Sequence, residues 1–256
     1  MADKLRLGGM ALPNGVLVHG PTAWGCAIRL PDGTIEVASE RKRFVSNEGT
    51  PPLLRGPLKL LEAMAVLPSV RRALPGARLP FERPAVAAAM VGSALGLRAV
   101  RGSRLGTATQ EVLAAALSFA PAVLALRSSE LAAYHGAEHV SIGTYEHDEP
   151  RAKEHERCGS HLVGPILLTA TIGNAVAAKA PANVRPLARG VATLGSLAVS
   201  TEIFSWMVRH PQHPVARALS RPGHELQHRV GTDEPSAEQL EVANAALAAC
   251  LALEGA

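Results

Sequence analysis

The chain has 256 residues, of which 47% are apolar and 19% charged, and its formal net charge is +4 at pH 7. An apolar share of that size excludes intrinsic disorder as the general state, and a charged share under the about 25% usual in soluble domains leaves the chain short of polar surface. The 26 Lys and Arg residues are spread along the chain and aromatics are only 3%, so neither the dense basic stripe nor the stacking platform of a nucleic-acid binder is present.

Residues 1–9 hold Lys4 and Arg6 but no apolar run, so a cleaved signal peptide is not expected. Val16-Leu17-Val18 and Ala27-Ile28-Arg29-Leu30 are short apolar runs, Pro31-Asp32-Gly33 is a turn signal, and residues 34–38 alternate with period two. These features predict a β-hairpin, or a small sheet, within a module of residues 1–50. Pro51, Pro52 and Gly56 punctuate the next loop. Leu58 to Val70 then has helical spacing, with Leu60, Leu61, Met64 and Leu67 on one side.

From residue 84 the chain turns apolar. Segments 84–97, 112–126 and 162–178 are free of charge, and 190–208 carries only Glu202. A spanning helix needs about 17 to 20 apolar residues, a length only the last two segments reach. The composition predicts a mainly α fold: a multi-helix, membrane-type bundle over residues 51–210, with the lipid bilayer as partner and a multi-pass membrane location. The competing expectation is a soluble, cytoplasmic bundle of Ala-rich helices. Arg98, Arg101 and Arg104 lie between the first two segments, and Lys179, Arg185 and Arg189 between the last two. Both termini are also basic, so charge does not fix the orientation. Residues 211–256 return to soluble character, and Ser236-Ala237-Glu238-Gln239 resembles a capping box that opens a last helix. Three well-separated cysteines, Cys26, Cys158 and Cys250, are not a disulfide framework and point to a reducing compartment.

The chemistry-bearing stretch is Tyr134-His135-Gly136-Ala137-Glu138-His139. On a helix His135 and His139 are one turn apart on one face and can chelate a single metal ion. Glu138 stands beside them, where it could take a proton from a metal-bound water. The order His-x-x-Glu-His is that of an inverted zincin. His155 and Cys158, three apart, offer two more ligands, and a set of four protein ligands is usually structural, whereas a catalytic site keeps one position open. Cys158 with a nearby histidine could instead be a nucleophile pair. Glu202, a lone carboxylate in an apolar helix, is costly without a partner and is a candidate third metal ligand. His224 and His228 are a possible second chelate, and His19 is expected to be structural.

Several pieces together resemble the YqhQ-like family (DUF1385), described as predicted metal-dependent membrane enzymes. They are Gly8-Gly9-Met10-Ala11 with Gly15-Val16, Pro31-Asp32-Gly33, Arg55-Gly56 with Leu61-Glu62, the His135 to His139 motif, His155, Arg157-Cys158-Gly159 and Thr201-Glu202. Pro222-Gly223, Gln227, Glu234-Pro235 and Glu241-Val242-Ala243 continue the series in the same order. Asn14, Glu156 and Ser160-His161-Leu162 depart from the family pattern. The resemblance implies a multi-helix membrane protein with a metal site, and names no reaction. The expectation is therefore a divalent-metal enzyme of hydrolytic type, with zinc as the favoured ion. In it His135 and His139 hold the metal, Glu202 or His155 completes the site, and Glu138 is the general base. The alternative is a non-catalytic membrane scaffold whose structural metal is closed in by His135, His139, His155 and Cys158.

Overall fold

The computed structural model describes residues 4–43, 49–127 and 129–255. Four strands, β1 (Gly8–Leu12), β2 (Gly15–His19), β3 (Ala23–Arg29) and β4 (Ile35–Arg41), form an antiparallel meander in chain order. The predicted hairpin is thus the second half of a larger sheet. Strand β1 carries two glycines, poor strand formers, and is held by pairing with β2, Leu12 opposite Gly15 and Gly8 opposite His19. The module predicted over 1–50 extends over residues 1–3 and 44–48, which lie outside the described residues.

Both faces of the sheet are covered. Side chains alternate along a strand, so Leu17, Trp24, Cys26 and Ile28 point to one face and Val16, Val18 and Ala27 to the other. The first set packs on Val66, Leu67 and Val70 of helix α1 (Arg55–Ala73) and on Leu74, Ala77 and Leu79 after it. The second packs on α4 (Ser129–His147) through Tyr134, Ala137 and Ile142, and on α8 (Ala237–Glu254) through Val242, Ala243, Ala246 and Cys250. Helix α8 sits so close to β3 that a Cβ at Gly25 would overlap the backbone at Ala246 and Cys250. Its first turn has the predicted capping box: the Ser236 hydroxyl accepts from Gln239 N and the Gln239 carbonyl from Ser236 N. Its last turn brings the Glu254 carboxylate to the amides of Thr22 and Ala23, each 2.7 Å away.

The apolar middle forms two helical hairpins. Helices α2 (Pro84–Gly102) and α3 (Thr107–Leu126) pack on each other, as do α5 (Val163–Ala178) and α6 (Arg185–Arg209). All four apolar segments belong to helices long and apolar enough to cross a membrane, not only the last two. The difference arises because the backbone helix of α2 and α3 runs on through the charged flanks. There Arg101 of α2 pairs with Glu111 of α3, and Asn174 of α5 donates to the same carboxylate at 3.0 Å. Val91, Leu95, Val112, Ile172, Val176 and Leu194 lie exposed on the outside of these helices, an apolar surface suited to lipid rather than water. The chain is mainly helical, a membrane-type bundle joined to a small sheet.

Helix α1 is longer than predicted, and of its predicted apolar side only Leu67 reaches the core. Val66, Leu67 and Val70 are buried, while Leu60, Leu61 and Met64 face outward. Helix α7 (Pro214–Leu226) follows α6 and passes into a single π-helical turn, Gln227–Gly231.

Candidate metal centre

Helix α4 carries His135, Glu138 and His139, and its position is fixed from two sides. The sheet packs on Tyr134 and Ala137. The segment after the π turn crosses α4 so closely that a Cβ at Gly136 would overlap the carbonyl oxygen of Asp233. The glycine that weakens the helix by propensity is what lets this segment approach. The Asp233 amide then bonds to Ala132 O at 3.0 Å, and Gly231 O reaches His135.

The two imidazoles are set by backbone carbonyls. His135 Nδ1 lies 2.7 Å from Gly231 O, and His139 Nδ1 2.6 Å from Lys153 O. A carbonyl only accepts, so each Nδ1 carries the proton, and each neutral ring keeps its Nε2 lone pair for another partner. This is the outer-sphere arrangement that orients metal-binding histidines. Burial, the largest influence on it, lowers the pKa of His139 and so favours the neutral ring a metal requires.

The third member is Cys158. Its Sγ is 3.5 Å from His135 Nε2, and one ligand atom from each of His135, His139 and Cys158 lies within 4.8 Å of the others. Sulfur and nitrogen ligands at about 2.3 and 2.0 Å from one tetrahedral ion stand roughly 3.5 Å apart, so the thiol–imidazole spacing fits a shared cation. The loop carrying Cys158 is clamped by Gln227, which is wholly buried. The Gln227 carbonyl accepts from His155 N at 2.9 Å, and its amide donates to His155 O at 3.2 Å and to the Ser160 hydroxyl at 2.6 Å.

Glu138 is buried against the β1 backbone at Gly9, with a carboxylate oxygen 4.0 Å from His135 Nε2. Burial pushes its pKa up, opposed by His135 and His155. It is a basic carboxylate beside the cluster rather than a member of it.

The remaining predicted residues lie elsewhere. His155 is close, its ring centroid 5.5 Å from that of His139, but both nitrogens are engaged. Its Nδ1 accepts from Arg157 N at 3.3 Å, so the Nε2 proton points to Glu146 at 3.3 Å. Glu202 is not at the cluster: it takes a two-pronged contact from Arg55 and a bond from Leu53 N, tying α6 to the start of α1. The partner that offsets its cost is an arginine 147 positions away. His224 and His228 stack at 6.3 Å, and His228 pairs with Glu154. The lone metal-type group among the described residues is His135, His139 and Cys158. Gln227 and the carbonyls of Lys153 and Gly231 belong to no metal-binding motif in the sequence. Of these, Gln227 had a signal, since it is one of the pieces carrying the family resemblance.

Residues 127–253 match the family model described as "Protein of unknown function (DUF1385)". The match contains α4, the Cys158 loop, the π turn and most of α8; the sheet and α1 to α3 lie before it. No curated protein and no solved structure matches the chain.

Proposed function

We propose that this chain is a membrane-embedded, divalent-metal enzyme of hydrolytic type, with the metal, zinc by its donor set, held by His135 Nε2, His139 Nε2 and Cys158 Sγ. The observation that carries the reading is the pair of Nδ1 to carbonyl bonds, which leave the Nε2 atoms of two imidazoles free to meet one thiol. Two nitrogens and a sulfur suit zinc better than magnesium or calcium, which prefer oxygen. Three protein ligands leave a position open, the arrangement typical of catalytic sites.

A divalent cation at such a site supplies Lewis acidity and makes a nearby water easier to deprotonate. Glu138 accepts that proton: it is next to His135, and its burial makes it a stronger base than an exposed carboxylate. The carbonyl bonds fix the Nδ1–H tautomer of His135 and His139, and burial favours the neutral form of His139. The scaffold reading, in which His155 closes the site as a fourth ligand, would require His155 to give up the bond from Arg157 N, and Glu146 as well if it binds through Nε2. A Cys158–His135 nucleophile pair needs one imidazole, whereas two converge here.

The test is the metal content of the purified chain by mass spectrometry. About one equivalent is expected in the parent and in Glu138→Gln, with loss in His135→Ala and Cys158→Ala. Full occupancy in His135→Ala would refute the proposal.

A further inference from the structure

A cavity of about 1060 Å³ lies between the ends of α6 and α4, α7, the Cys158 loop and residues 4–6. Sites for small molecules commonly span about 300 to 1,000 Å³, so it is large enough for a head group with a chain attached. Its lining is of two kinds. One is apolar and comes from the end of α6: Phe204, Met207 and Val208, with Pro211 just after. At 1.5 Å per residue, Phe204 is roughly 28 Å along the helix from Arg185. This is close to the about 30 Å of a hydrocarbon core, so this wall stands where α6 passes from acyl chains to head groups.

The other kind is polar and leans cationic. Most of its carboxylates are already engaged: Glu146 with Arg157 and His155, Asp148 with Lys4, and Glu154 with His228. Among the described residues, Arg6 and Arg217 line the cavity with no carboxylate partner, against Glu156 as the one lining carboxylate with no ion pair. His155 forms part of the same wall, and its ring is 5.5 Å from that of His139. None of His135, Glu138, His139 and Cys158 lines the cavity, so His155 is the link between its wall and the metal centre.

We infer that this cavity binds an amphiphile, with an anionic head, phosphate or carboxylate, against Arg217 and Arg6 and an alkyl chain along Phe204, Met207 and Val208. The inference rests on α6 being a membrane span and does not require a bound metal. Together with the proposed metal centre it makes the substrate class a membrane-derived anionic amphiphile rather than a freely soluble metabolite.

The experiment uses the full chain in phosphatidylcholine nanodiscs. Decyl phosphate, decyl glucoside and inorganic phosphate are titrated calorimetrically against it, with empty nanodiscs subtracted. One saturable site is expected for decyl phosphate, about tenfold or more tighter than for either comparison compound, as a charge-assisted contact implies. Arg217→Gln, at an exposed position, should weaken decyl phosphate several-fold and leave decyl glucoside unchanged. Phe204→Ala should weaken both alkyl compounds. Chelator-treated protein should bind as the parent does, so a failure of the metal reading leaves this result standing. Equal affinity for decyl glucoside, equal affinity for inorganic phosphate, or parental binding by Arg217→Gln would each overturn the inference. A parallel alkaline carbonate wash of native membranes separates the two premises. Release of the chain overturns the span reading and this one with it, whereas retention without saturable binding overturns this one alone.

Discussion

Replacing Gln227 by Met tests whether the Cys158 loop is held in place for the metal. The substitution conserves volume, so no cavity complicates it, but it removes three hydrogen bonds at once: those to His155 N, His155 O and the Ser160 hydroxyl. At a net of about 1 kcal/mol each the loop loses up to roughly 3 kcal/mol of its hold. The half-buried loop can recover part of this by hydration, so about 1.5 to 3 kcal/mol remains. Free loops bind metal less well because the ion must first restore the order that Gln227 supplied. That range corresponds to about a 10- to 100-fold weaker metal affinity. The assay is competition with a zinc-buffering chelator, followed by the absorbance of a chromophoric indicator. Gln227→Glu keeps the acceptor for His155 N but loses the two donors, and should fall between parent and Gln227→Met. Affinity within twofold of the parent for Gln227→Met, alongside loss in Cys158→Ala, would refute the argument that this clamp presents the thiol.

Other outcomes follow from the same contacts. Gly136→Ala forces its new methyl onto Asp233 O, so about 1 to 3 kcal/mol of stability and the His135–Gly231 bond should be lost together. A lowered thermal midpoint in detergent with reduced metal content is expected, and parental values in both would contradict the close-approach account. Glu202→Gln should leave metal content unchanged because Glu202 serves Arg55, and metal loss in that variant would return Glu202 to the site. His19 gives a pH dependence. Burial and the neighbouring Lys42 lower its pKa from its usual 6.5 to about 4, so between those values the unfolded chain binds more protons than the folded one. Stability from this group is present above about pH 6.5 and is lost as pH falls toward 4, by about 3 kcal/mol in all. Denaturant unfolding monitored at Trp24, which pairs with His19 across β2 and β3, should show that slope. A His19→Asn variant with the same slope would contradict the assignment.

The parts legible in the sequence were those encoded by local spacing. His135 and His139 lie one turn apart whatever else the chain does, so their shared face could be read directly. The last helix announced itself through Ser236 and Gln239. Contacts made across the chain left no such trace. Nothing near Glu202 marks Arg55 as its partner, and spacing alone does not decide whether His155 or Cys158 of one loop reaches the imidazoles. That choice is made by Gln227, some seventy positions later. The contributions of Lys153 and Gly231 are carbonyl oxygens, which every residue has, so no side-chain pattern could reveal them. Leu60, Leu61, Met64 and Leu67 share one side by spacing, yet only Leu67 is buried, because periodicity finds an apolar side without saying what it faces.

The seating of α8 on β3 has a consequence for biogenesis. The Thr22–Glu254 contact joins positions 232 apart, and both helical hairpins lie between them in the order of translation. A nascent chain therefore presents one sheet face without α8, covered at most by α4, throughout the period in which its apolar hairpins enter the bilayer. Closure waits until the final helix has left the ribosome. Non-local pairing of this kind is slow and exposes sticky surface in the interval. A polypeptide stalled before residue 237 should consequently be a preferred client of holding chaperones at the membrane surface.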